Sequence, residues 1–132
     1  MTLSPALAAL ADASFVSLTT FRKTGVGVST PVWIARDGDE LVVTTPRKSG
    51  KVKRLRNDPR VTLVPCDRRG RVADGATALE AEARIVSDTG TVDRLGRVFL
   101  RKYRLEYRVF MVIERIVSRG DRTRVMLRIA DR

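Results

Sequence analysis

Residues 48–61, KSGKVKRLRNDPRV, carry the clearest fold signal in this chain. Their spacing predicts a short helix over Lys51–Asn57, with Val52 and Leu55 on its buried side. The Asp-Pro pair that follows ends this helix. Alternation then resumes, and Arg60–Cys66 is predicted to be a strand. The segment therefore predicts a helix inserted between the strands of a sheet.

The same alternation extends in both directions along the chain. Six strands are predicted: Ser14–Phe21, Val26–Arg36, Glu40–Thr45, Arg60–Cys66, Ala78–Val86 and Thr123–Ala130. Further helices are predicted from Ser4 to Asp12 and over Thr91–Tyr103, with a helix or irregular stretch over Leu105–Ile116 and turns at 37–39 and 119–121. This order predicts one domain, residues 1–132, that is mostly β and forms a small antiparallel barrel.

Charge separates this chain from an average domain. Its 132 residues hold 26 Lys and Arg against 15 Asp and Glu, a net charge of +11. Such a field attracts polyanions, either nucleic acid or an anionic cofactor, although an Arg-rich surface is an equally simple explanation. Nucleic acid is the weaker expectation, because no helix-turn-helix, zinc-finger or aromatic RNA-binding pattern is present.

The chain has no histidine and a single cysteine, Cys66. A lone cysteine excludes an internal disulfide and a Cys-rich zinc site, so we predict no metal site. Without histidine to activate it, Cys66 is expected to be a buried strand residue rather than a nucleophile. Any chemistry must then rest on other groups or on a cofactor, and no catalytic residue is assigned.

The first residues lack the basic start of a signal peptide, and Asp12 interrupts their apolar stretch. No run of 18 apolar residues exists, so a membrane-spanning helix is not expected. The expected location is the cytoplasm.

A candidate anion site lies at the start of the predicted helix. Ser49 and Gly50 stand where free backbone N–H groups and the helix dipole favour a phosphate, and the Lys51 ammonium follows directly. Lys51 and Arg54 share one helix face, while Lys53 and Arg56 share another. The alternative is a solvated basic helix.

A second candidate is the stretch Ser29, Thr30, Pro31, Val32 and Trp33. Proline inside a strand indicates an edge, a bulge, or backbone that faces something other than a neighbouring strand. A flat aromatic ligand could lie there against Trp33, the only tryptophan of the chain. The alternative is that Trp33 is a core or interface residue.

Two arginine groups are less specific. Arg68, Arg69 and Arg71 occupy a glycine-containing loop, where they could meet an acidic group or remain plain surface residues. Arginines also recur at helical spacing at positions 94, 97, 101, 104 and 108, as a solvated face or as the wall of an anion groove.

Taken in order, five segments carry a family resemblance: TTFRKTG (19–25), STPVW (29–33), DGDEL (37–41), SGKVKRLRNDPRV (49–61) and PCDRRGR (65–71). They resemble the pyridoxamine-phosphate-oxidase-like split barrel. Within it, the chain is most similar to the actinobacterial class that uses the deazaflavin coenzyme F-420. The resemblance covers nearly the whole chain.

The resemblance implies a six-stranded antiparallel split β-barrel of the FMN-binding type, usually a homodimer with the cofactor in a groove between subunits. It assigns the cofactor phosphate to Ser49, Gly50, Lys51, Lys53 and Arg54, and the cofactor ring to residues 29–33. Thr45 is a further expected contact. The acidic oligoglutamate tail of the coenzyme would suit Arg68, Arg69 or the arginines from Arg94 onward.

The expected function is therefore an F-420-dependent oxidoreductase that transfers hydride between the cofactor and a small unsaturated or quinone-like substrate. The alternatives are an FMN-binding oxidoreductase of the same barrel and a non-catalytic flavin or deazaflavin carrier. Residues with which true pyridoxamine phosphate oxidases hold their substrate have no match here, so vitamin B6 oxidation is not expected.

Overall fold

A computed structural model of the chain describes residues 3–106, 108 and 123–132. The element order is α1 (Pro5–Ala9), a 3-10 turn (Leu10–Asp12), β1 (Phe15–Phe21), β2 (Gly27–Val32), β3 (Ile34–Asp37), β4 (Glu40–Pro46), α2 (Gly50–Asn57), β5 (Arg60–Cys66), β6 (Leu79–Val86), α3 (Thr89–Tyr103) and β7 (Arg124–Ala130). Most of the predicted stretch Leu105–Ile116 and the turn at 119–121 lie outside the described residues.

The described strands form one antiparallel sheet in the order β2-β1-β5-β6-β7-β4-β3. Its two edge strands are consecutive in sequence and are separated only by Trp33. Because one residue joins the two edges, the sheet has to curl until they meet. This closure produces the split barrel that the sequence predicts.

The strand count is the one correction to the predicted fold. Val26–Arg36 was expected to be a single strand, but it divides at Trp33, so the described residues hold seven strands instead of six. Val32 pairs with Val16 of β1, whereas Ile34 pairs with Val43 of β4. The chain crosses from one sheet edge to the other at this point, and Pro31 lies on an edge strand, as its missing N–H requires.

Two apolar clusters stabilise the barrel. The first fills its interior and includes the fully buried Leu18, Leu63 and Ile129. The second packs α3 on the sheet through Leu95, Phe99 and Tyr103, which recur every four residues. Burying a side chain as large as leucine or phenylalanine contributes about 1.5–3 kcal/mol, so this stripe secures α3.

An ion-pair network joins the same helix to the β3–β4 hairpin. The Arg128 guanidinium on β7 lies 2.6 Å from a Glu40 oxygen and 2.9 Å from an Asp37 oxygen. Arg94 of α3 makes two contacts of 3.1 Å with Asp37, and Arg84 pairs with Glu40. These hydrogen bonds hold the pKa of both carboxyls below their usual values, Arg94 acting most on Asp37 and Arg84 most on Glu40.

Helix α2 forms much as predicted, beginning at Gly50 instead of Lys51. Ser49 is its N-cap, and its hydroxyl accepts a hydrogen bond from the Val52 N–H at 3.4 Å. Val52 and Leu55 are buried against the barrel. The helix start is thus fixed beside the end of β4, which positions the site described next.

Candidate functional site

A cavity of about 750 Å³ opens where β2 gives way to β3 and where β4 leads to α2. This volume lies within the range of small-molecule sites. Its lining combines apolar side chains with two threonines, three cations and one carboxylate: Phe15, Pro31, Val32, Trp33, Thr44, Thr45, Pro46, Lys51, Arg68, Leu105, Glu106 and Arg124. Five residues that the sequence predicted for the cofactor therefore meet in one space: Pro31, Val32, Trp33, Thr45 and Lys51.

Ser49 is not in the lining but contacts the lining residue Thr45. Its hydroxyl accepts from the Thr45 hydroxyl at 3.1 Å as well as from the Val52 N–H. Thr45 is 1% exposed, so the β4 end is bonded directly to the N-cap of α2. With two bonds accepted, the Ser49 proton remains available to donate to an anion.

Lys51 is one of three cationic residues that line the cavity, with Arg68 and Arg124. It is half-buried, and its ammonium has no hydrogen bond or ion pair with any residue of the described ranges. Burial lowers the pKa of its ammonium, and the nearby Arg54 and Arg124 lower it further. Three cations at one corner create a local potential that a bound anion would relieve.

Gly50 allows Arg54 to fold back over the helix start. A Cβ at position 50 would lie 2.7 Å from the Arg54 Nη1 atom, closer than real contacts allow. Arg54 is held in this pose by its Nε, which donates to the Thr20 hydroxyl at 2.6 Å. The guanidinium therefore covers the first turn of α2, where an anion would bind.

The remaining predicted contacts do not line the cavity. Lys53 is exposed on α2. Ser29 bonds through its hydroxyl to the Thr19 hydroxyl at 2.6 Å. The Thr30 hydroxyl is buried with no partner among the described residues. Of these three, only Thr30 directly adjoins a lining residue, Pro31, in sequence.

Trp33 is neither a plain core residue nor a fully open one. Its half-buried ring stacks on Tyr103, with centroids 4.8 Å apart and planes 13° apart. Phe15 lies at 6.5 Å and tilted by 59°. The cavity thus combines aromatic rings with cations in its lining, a combination that suits a flat ring carrying a negative group.

The arginine groups separate into different roles. Arg68 reaches the cavity and makes an exposed 3.4 Å ion pair with Glu106. Arg69 and Arg71 do not line it, although Asp67 organises their loop by accepting both backbone N–H groups. Arg94 is committed to Asp37, and the described arginines 97, 101, 104 and 108 are exposed away from the cavity lining.

Sequence reasoning missed Arg124, Thr44 and Phe15. Arg124 donates from Nε to the Thr44 hydroxyl at 2.9 Å. It arrives because β7 pairs with β4, placing Arg124 opposite Pro46. An arginine at the start of a strand is common, so only this long-range pairing reveals it as part of the site.

Two kinds of feature are absent from the described residues. They contain no group of three or more acidic, cysteine or histidine side chains that could hold a metal ion. Among them, no helix is both long enough and apolar enough to cross a bilayer.

Fold and site together define a class: small antiparallel split barrels with a cationic, aromatic-walled ligand cavity. Residues 3–130 match the family model described as pyridoxamine 5'-phosphate oxidase. The chain belongs to this family, which confirms the resemblance seen in the sequence.

Solved structures agree on the fold. A conserved hypothetical protein from Mycobacterium tuberculosis is 26% identical and superposes with a TM-score of 0.68. The match covers 100% of this chain and 82% of that protein's chain. An F420 reductase is 21% identical, with coverage of 92% and 90% and a TM-score of 0.58. A heme storage protein from Vibrio cholerae is 14% identical, with coverage of 100% and 92% and a TM-score of 0.63. No curated protein matches the chain.

Proposed function

We propose that this protein is an F-420-dependent oxidoreductase that transfers hydride between the deazaflavin and a small unsaturated or quinone-like organic substrate. One observation carries the proposal. Lys51, unpaired within the described chain, shares a cavity with the aromatic wall of Trp33 and Phe15. A flat ring that bears a phosphate would contact the aromatic wall and the Lys51 ammonium at the same time.

The residues of the chain fit this cofactor. The Ser49 hydroxyl, the free N–H groups at the start of α2 and the Lys51 ammonium would hold its phosphate, with Arg54 closing over them. Arg124 would add a second positive charge from the sheet. Phe15, Pro31 and Trp33 would bound the ring and keep water from its face.

The bound cofactor supplies the hydride chemistry, and the protein need only bind, orient and exclude water. This division of labour explains how an enzyme can lack histidine altogether. The likeness to an F420 reductase favours the deazaflavin, and Arg68 at the cavity rim would suit an acidic tail.

FMN is the second candidate, because the matched family is named for an oxidase that uses this flavin, and FMN also joins a phosphate to a flat ring. A carrier without turnover is the third, and the similarity in fold to a heme storage protein supports it. We further propose a cytoplasmic homodimer acting on a small molecule, on the strength of the family pattern alone.

The test is direct titration of the purified protein with F-420 and with FMN. Tighter binding of F-420 supports the proposal, whereas tight FMN retention without F-420 binding transfers the assignment to FMN. Reduced cofactor is then offered with quinones, enones and nitro compounds. Binding without oxidation by any acceptor identifies a carrier.

A further inference from the structure

Ile34, the residue after Trp33, pairs with Val43 of β4 and is also held by side chains from α3. Tyr103, the last residue of α3, accepts the Ile34 N–H on its phenol oxygen at 2.9 Å, and that oxygen lies 2.8 Å from the Ile34 carbonyl. Lys102 donates to the same carbonyl at 2.6 Å. Two consecutive helix residues therefore satisfy both backbone groups of Ile34 where the edge strand divides.

The same two side chains also grip the segment before β1. The Lys102 ammonium donates to the carbonyls of Ala11 at 2.7 Å and Ala13 at 2.8 Å, so all three of its protons are used. The Tyr103 hydroxyl lies 2.9 Å from the Ser14 carbonyl. Burial raises the pKa of Tyr103 to about 12, so the phenol keeps its proton at neutral pH.

In addition to these hydrogen bonds, the Tyr103 ring is stacked on Trp33. Trp33 lines the cavity and Tyr103 does not, so Tyr103 supports the indole from the side away from the cavity. The phenol oxygen fixes the backbone just after Trp33, and the ring fixes the indole plane. Both constraints come from one side chain that is itself 8% exposed and unable to shift freely.

We propose that Tyr103, assisted by Lys102, is a positioning residue that sets the plane of Trp33 and thereby the width of the slot for a flat ring ligand. Tyr103 is not among the residues that line the cavity. This proposal depends on the proposed function only for the identity of the ligand, a flavin-type ring. The effect on Trp33 is a property of the protein alone.

The chain offers a clean reporter, because Trp33 is its only tryptophan. Tyr103→Phe removes the hydroxyl and keeps the ring, and Tyr103→Leu removes both. Leu95→Val is the matched control, since Leu95 is buried in the same cluster on α3, lies eight residues before Tyr103 and carries no aromatic ring or hydroxyl. The measurements are Trp33 emission, its quenching by acrylamide without ligand, and the Kd values for F-420 and FMN.

Tyr103→Phe is expected to increase the quenching of Trp33 and to weaken ring binding by about 5- to 10-fold, the effect of one lost hydrogen bond. Tyr103→Leu should exceed it in both readouts, and Leu95→Val should leave emission and Kd unchanged. The proposal is overturned if Tyr103→Phe leaves quenching unchanged, or if Leu95→Val matches its effects.

Failure of the proposed function gives a different result. If neither cofactor binds the wild type but Tyr103→Phe still releases Trp33 to the quencher, the positioning role stands and the flavin-type ligand falls. If wild type and Tyr103→Phe bind the cofactors with equal Kd and show equal quenching of Trp33, the flavin-type ligand is supported and the positioning role of Tyr103 is refuted.

Discussion

Replacing Lys51 by methionine tests the anion site through two opposite effects. Lys51 is half-buried beside Arg54 and Arg124 and has no described partner. Methionine keeps most of the volume and removes the charge, so the free protein should gain roughly 0.5–1 kcal/mol of unfolding free energy, at the low end of the range for relieving such a conflict. The same change removes a charge-assisted contact with phosphate, which is worth about 1.5–3 kcal/mol.

That loss corresponds to about 10- to 150-fold weaker cofactor binding. Urea denaturation measures the first effect and calorimetric titration the second. Lys53→Met is the matched control, because Lys53 lies on the same helix but is exposed and outside the cavity. It should change both quantities little.

The stability gain also has a pH signature. A lysine whose pKa is lowered by folding binds fewer protons in the native state, so the wild type becomes more stable as pH rises toward the ordinary value of 10.5. The difference between wild type and Lys51→Met should therefore disappear above that pH. A Lys51→Met protein that binds cofactor normally, or that is less stable at neutral pH, would refute the reasoning.

Three further predictions concern the network and the helix start. Arg128→Met should lower the free energy of unfolding by roughly 1–3 kcal/mol, because it leaves two half-buried carboxylates facing each other. Arg84 is exposed, so Arg84→Met should lower it by under about 1 kcal/mol. Equal losses for the two variants in urea denaturation would contradict this prediction. Because the pKa values of Asp37 and Glu40 are lowered by folding, they stabilise the protein above their ordinary values of 3.8 and 4.5. This stability should be lost as pH falls through the native pKa values, and a flat urea midpoint across that acid range would count against it. Gly50→Ala should displace the Arg54 guanidinium and weaken cofactor binding while changing the urea midpoint little, since the clash is with the end of a flexible side chain; unchanged binding would show that Arg54 does not cover the anion.

The sequence was informative wherever local chemistry decides the structure. Ser49 predicted a helix start because a hydroxyl there caps free N–H groups, and Val52 and Leu55 predicted the buried face. Such signals depend only on neighbours within one helical turn. Lys51 and Thr45 both line the cavity, although Thr45 was expected from the family resemblance and not from a local signal. Their contact with a cofactor stays a prediction.

Trp33 shows where local signals fail. Its alternation with Val32 and Ile34 continues without interruption, so no local pattern indicates that the strand changes partners there. Arg124 and Phe15 reach the cavity only through strand pairing, and Tyr103 reaches Ile34 across 69 positions of sequence. Contacts of this kind are set by the closed barrel and not by periodicity.

The place of β7 in the sheet has a consequence for biosynthesis. This strand follows every other described strand in sequence, yet it lies between β6 and β4 near the sheet centre. Until the ribosome releases it, β2-β1-β5-β6 and β4-β3 have no ladder between them. Pairings such as Leu41 with Ile129 also span most of the chain, a topology that slows folding. A nascent chain that still lacks β7 should therefore leave β6 and β4 each short of one partner strand, and unpaired strand edges of this kind favour aggregation.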